Sequence, residues 1–227
     1  MTLRIVLSGS RAFGAAVAEQ IADRHDLTLT VSPAFADPYA HLHNTYGTPE
    51  EGFRWDRLRT WADLHGAPWL DAIELRADRI PDNTDVIVAA HSHAFISRRT
   101  RYRARYAIGY HPSLLPVHRG RDAIRWTIRD RDKITGGTVY HLSDNVDAGP
   151  IAAQAWCHVH PDDTPETLWR NRLFPLGVEL LTDVLDRLDT TGHIDYHPQD
   201  EALATWEPSW QRPPLHRPEL PELPSRA

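Results

Sequence analysis

The chain has 227 residues, 41% hydrophobic and 25% charged, enough to bury a full core in one domain with a tail to spare. Its formal net charge of −6 argues against broad binding to a phosphate backbone, and its single cysteine, Cys157, excludes an intramolecular disulfide. No apolar run approaches the roughly 20 residues of a membrane span, and MTLRIVLSGS is too short an apolar start for a signal sequence, so a reducing cytoplasm is the expected setting.

LRIVLSGS (3–10) reads as a buried strand entering a Gly-Ser turn, RAFGAAVAEQIADRH (11–25) as a helix and LTLTVSPA (27–34) as a second strand. This is the β-α-β opening of a parallel sheet. Residues 35–56 have no clean period and read as loop. RLRTWADLHG (57–66) predicts a helix closed by Gly66, and DVIVAAH (85–91) a central parallel strand. ISRRTRYRARY (96–106) reads as a short helix with a solvated arginine face, and AIGYH (107–111) as a strand.

RDAIRWTIRDR (121–131) predicts a helix offering Ile124, Trp126 and Ile128 to the core. GGTVYHLS (136–143) and GPIAAQAWCHV (149–159) predict an antiparallel pair around a short polar loop, with Cys157 as inert core. Residues 164–190 read as one long helix, capped by Thr164 with Pro165 at the next position and kinked or split at Pro175. The segment 193–227, rich in Pro and Trp, is expected to lie across the 1–192 domain and bury Trp206 and Trp210. The fold class is α/β: a Rossmann-like, mostly parallel central sheet with an antiparallel C-terminal extension and helices on both faces.

In open sheets of this kind ligands bind beyond the carboxyl ends of the strands. SGS (8–10), HSHAF (91–95) and HPSLLP (111–116) reach that edge, and SDNVDAG (143–149) can join them. His111 is a candidate proton carrier near neutrality, and Asp147, two residues before Gly149, is a candidate to orient it. SGSRAFG (8–14) offers backbone amides to a phosphate at a helix start, yet lacks the full G-x-G-x-x-G pattern. The histidines lack metal-ligand spacing, so no metal is expected.

HPSLLPVHRG (111–120), followed by TGGTVYHLSDNVDAGPIAAQ (135–154), resembles the formyltransferases that use 10-formyltetrahydrofolate, and DEALATWEPSW (200–210) is similar to a segment closing the catalytic domain of the tRNA enzymes among them. The resemblance implies the formyltransferase fold, 10-formyltetrahydrofolate as cosubstrate and transfer of its formyl group to a small-molecule amine, in a monomer or homodimer without nucleic acid or membrane partners. It places the family's catalytic His and Asp on His111 and Asp147, and its Asn on Gly109, which has no amide to offer.

By the same resemblance the pterin lies against His91, Ser92, His93, Ala94, Phe95 and Ile96 on one side and His141, Leu142, Ser143, Asp144 and Val146 on the other. The acceptor side falls on Ser8, Gly9, Ser10, Ser113, Leu114, Arg119 and Gly120, with Ser113 read as a turn residue and not a nucleophile. His91, Ser92 or His93 could supply the donor that Gly109 lacks. Methionyl-tRNA is not expected as acceptor, because the tRNA enzymes carry an additional basic domain. The alternatives are a 10-formyltetrahydrofolate hydrolase, with water entering space left by Gly109, and a folate-binding homologue without turnover.

Overall fold

A computed structural model describes residues 2–33, 56–92 and 95–208. Seven strands form one sheet in the order β3-β2-β1-β4-β5-β6-β7, with β1 at Arg4–Gly9, β2 at Asp26–Ser32, β3 at Trp69–Asp71, β4 at Thr84–Ala90, β5 at Ala104–His111, β6 at Ile134–His141 and β7 at Ile151–His158. β3 to β5 across the sheet pair in parallel; β6 and β7 are antiparallel additions beside β5. This is the expected sheet. β3 is an addition to the expected strands, since three residues are too few to display alternation.

Helices α1 (Arg11–Ala22) and α2 (Arg57–His65) follow β1 and precede β3, and α2 ends on Gly66 at φ 65, the left-handed position glycine accommodates. α1 has no cap from Ser10; instead the Asp56 carboxylate accepts from the Arg11 N–H at 2.7 Å and from Leu58 N–H at 2.9 Å, serving the starts of both helices.

Two readings are corrected. Only Arg98–Arg101 is helical (α3) in the stretch 96–106; a turn at 102–103 leads into β5 from Ala104, where Arg105 is exposed between half-buried Ala104 and Tyr106. In α4 (Ala123–Arg129) the buried side chains are Ala123 and Thr127, while Ile124, Trp126 and Ile128 are half-buried. The long helix divides as expected: α5 (Pro165–Leu168), capped by Thr164, a π turn over Trp169–Leu173, then α6 (Phe174–Thr191). The Tyr110 hydroxyl donates to the Leu173 carbonyl at 2.7 Å at the end of that wide turn.

α1 and α6 cover one face of the sheet. Leu180, Leu181, Val184, Leu185 and Leu188 of α6 pack on Ile5, Leu7, Val88, Ile108 and Val139 in the larger core. The other face carries a smaller core around Val6, Ile87 and Ala107. At its carboxyl edge Ser8, Ala89, Gly109 and Tyr140 stand side by side in adjacent strands, a floor of mostly small side chains beside which His111, two residues beyond Gly109, ends β5. No helix among the described residues is long and apolar enough to cross a membrane.

Candidate active site

His111 and Asp147 meet at the sheet edge: His111 Nδ1 lies 3.6 Å from Asp147 Oδ2, and both side chains are almost buried. The other ring nitrogen, Nε2, donates to the His118 carbonyl at 2.8 Å. A carbonyl only accepts, so Nε2 carries the proton and Nδ1 is the nitrogen left to take up another. The turn 112–118 returns the chain to make this contact. Within it Ser113 Oγ donates to the Val117 carbonyl at 2.6 Å and Thr138 Oγ1 to the Ser113 carbonyl at 2.7 Å. The Leu115–Pro116 bond is cis.

Asp147 is held on several sides. Its Oδ1 accepts from the Tyr140 hydroxyl at 2.6 Å and its Oδ2 from the Gly120 N–H at 2.8 Å. Burial, then the Asp147 charge, pushes the Tyr140 phenol well above its ordinary range, so it serves as a donor throughout the working pH range. Asp147 sits at φ 52, a left-handed conformation uncommon for a residue with a side chain. Gly149 behind it packs so closely that a Cβ would fall 1.7 Å from the His141 carbonyl oxygen. Nothing in the sequence singles out Tyr140; a tyrosine in an apolar strand reads there as packing.

The formyl transferase family profile matches residues 74–185. These residues are a formyl transferase domain. The mitochondrial 10-formyltetrahydrofolate dehydrogenase of Mus musculus is 32% identical over 215 residues, covering 90% of this chain and 22% of that protein. The methionyl-tRNA formyltransferase of Thermotoga maritima is 28% identical over 215 residues, covering 91% of this chain and 64% of that one. The chain therefore spans about a fifth of the dehydrogenase relative and under two thirds of the tRNA enzyme. Among solved structures, the N-formyltransferase from Helicobacter canadensis, in complex with folinic acid and dTDP-3-aminofucose, superposes with a TM-score of 0.70 at 14% identity, over 91% of this chain and 71% of that one. The likeness establishes the formyltransferase fold.

Several expected site residues have other work in the structure. Ser8, Gly9 and Ser10 are buried: the Ser8 and Ser92 hydroxyls bond each other at 2.6 Å, and Ser10 Oγ donates to the His91 carbonyl at 2.8 Å. The phosphate cradle is corrected, because Asp56 already accepts the Arg11 N–H at the start of α1 and would repel an anion there. Ser113 faces into its own turn, and Leu114 packs towards β6 and β7, where its Cδ2 would lie 2.6 Å from a Cβ on Gly136. Arg119 is 2% exposed, with its guanidinium committed to Gln199 and Glu201. Gly120 turns out to serve Asp147 through its N–H.

On the pterin side, Ile96 is core beside Val6 and Ile87, and the His141 ring lies against Tyr106 and Tyr196 on the face opposite Tyr140, as strand alternation demands. Asp144 is paired with Arg98 and Arg101, tying the 142–147 loop to α3 and holding its carboxyl below the usual range. Phe95 is exposed, Leu142 and Val146 are half-buried, and Ser143 Oγ donates to the Asn145 carbonyl. His93 and Ala94 lie outside the described residues, as does Trp210; Trp206 is half-buried beneath Arg119.

The space expected at Gly109 is bounded by Leu142, Ala89 and Tyr140. An added Cβ would meet Leu142 Cδ2 at 3.0 Å, Ala89 Cβ at 3.5 Å and Tyr140 Cε1 at 3.5 Å. An apolar side chain leans over the position where the family's amide would start.

Proposed function

We propose that this chain transfers the formyl group of 10-formyltetrahydrofolate to a small amine that carries no phosphate at the start of α1. The single observation that carries the reading is the buried pairing of His111 with Asp147 at the carboxyl edge of a formyltransferase-type sheet. The amine nitrogen attacks the formyl carbon and forms the new C–N bond. His111 Nδ1 takes the proton the amine loses, with Asp147 Oδ2 beside it to balance the imidazolium. The bond from the formyl carbon to the folate nitrogen then breaks, and that nitrogen leaves with a proton returned from the dyad. The low exposure of both groups supports the reading, because charge developing in a water-poor site is stabilised by fixed partners.

The absence of phosphate from the acceptor is argued from Asp56. Its carboxylate occupies the amide that a phosphate would need, so a neutral or cationic amine suits this end of the site. The relatives named 10-formyltetrahydrofolate dehydrogenases favour the same cosubstrate, and their name keeps a second reading open in which the formyl group leaves without an amine. Purified protein mixed with 10-formyltetrahydrofolate, with and without a panel of phosphate-free amines, tests both. Amine-dependent release of tetrahydrofolate supports transfer. Release independent of amine supports the second reading, and no release in any mixture overturns both.

A further inference from the structure

The segment after α6 lies across both loops that carry the dyad, and Gln199 sits where they converge. Its side chain is buried, and each amide atom has partners of a single type. Nε2 donates to the Asp147 carbonyl at 2.8 Å and to the Gly149 carbonyl at 2.7 Å. Oε1 accepts from Arg119 Nε at 3.1 Å and Nη2 at 2.7 Å. Carbonyls only accept and a guanidinium only donates, so the amide can face one way alone. Arg119 is fixed in turn by a two-toothed pair with Glu201 at 2.7 and 2.8 Å.

We propose that Gln199 is a positioning residue for Asp147, holding the left-handed backbone at 147 through two carbonyls and aligning its carboxylate with His111. Tyr140 and Gly120 fix the carboxylate itself; only Gln199, among the described contacts, grips the backbone on either side of Ala148. Arg119 connects this grip to the turn carrying His118, whose carbonyl holds the His111 ring. Both halves of the dyad thus share one support, and a displacement of about 1 Å in such a constellation can cost on the order of 100-fold in rate.

The inference rests on the functional reading only for its kinetic arm. Gln199→Leu removes the amide, and Gln199→Glu keeps its shape while turning an oxygen towards the two carbonyls. The ring nitrogen NMR shifts of His111 are compared among wild type, both variants and Asp147→Asn, with thermal unfolding as the check on folding. The expected result is cooperative unfolding in Gln199→Glu, His111 shifts displaced towards those of Asp147→Asn, and kcat lowered about 100-fold with little change in KM for the folate. Wild-type His111 shifts in both folded variants would overturn the proposal, whatever their stability. Should Gln199→Leu fail to fold, Gln199→Glu and Arg119→Lys, which keeps the charge but loses the fork, decide it. A wild-type protein without turnover counts against the functional reading alone, and the NMR comparison still decides the positioning role.

Discussion

His111 faces Asp147 through Nδ1 at 3.6 Å while its Nε2 is committed to the His118 carbonyl at 2.8 Å. One ring nitrogen is thereby fixed as a donor, and the other, beside a carboxylate, is free to gain and lose a proton. His111→Gln and Asp147→Asn are each expected to lower kcat by roughly 100- to 10,000-fold, the range of a positioned acid or base, in protein that still unfolds cooperatively. Steady-state rates beside melting curves check this; a drop under tenfold in both variants would count against the dyad.

Gly109 marks where this chain departs from the motif it otherwise carries. Only the flexible end of Leu142 stands close to an added Cβ, at 3.0 Å. Gly109→Asn, alone or with Leu142→Ala, is expected to raise the transfer rate, because one well-aimed donor to a developing oxyanion is worth about 100-fold. An unchanged or lower rate in both variants indicates that another donor already fills that role.

Tyr140→Phe takes away the donor to Asp147 Oδ1 and leaves a nearly buried carboxylate oxygen short of a partner. The expected cost is about 1.5–3 kcal/mol of stability, the range for a hydrogen bond to a charged group. Urea unfolding measures it.

His25 and His141 predict a pH dependence of stability. Burial lowers the pKa of His141, and burial also lowers that of His25 despite nearby Asp189 and Asp186. Both titrate below the ordinary histidine value of 6.5 in the folded chain. Between the folded and unfolded values the unfolded chain binds more protons, so their contribution is full above the ordinary value and is lost as pH falls through that window. Melting temperature is expected to fall on acidification from neutrality, and His141→Phe to flatten part of the fall.

Much of the sheet is legible from its punctuation: β1, β2, β4, β6 and β7 are apolar runs bounded by Gly, Pro and polar turns, and Thr164-Pro165 announces α5. In the misread stretch 96–106 only the end carries strand alternation, with Arg105 exposed between half-buried Ala104 and Tyr106. The motif locates His111 and Asp147, but nothing local tells that Arg119 turns inward to Gln199, 80 residues away, or that Asp56 serves α1 from 45 residues downstream. Such partners become visible only when the chain has closed on itself, and for the same reason Tyr140 and Gln199 look like ordinary strand and tail residues in the sequence.

The most direct measurement follows the formyl carbon itself. 10-Formyltetrahydrofolate labelled at that carbon is incubated with stoichiometric protein and a phosphate-free amine, and the label is traced by carbon NMR. Transfer through the His111–Asp147 dyad predicts a labelled N-formyl amine that appears with wild type and not with His111→Gln. Label found only in formate, or still on the folate after wild-type incubation with every amine tried, would contradict it.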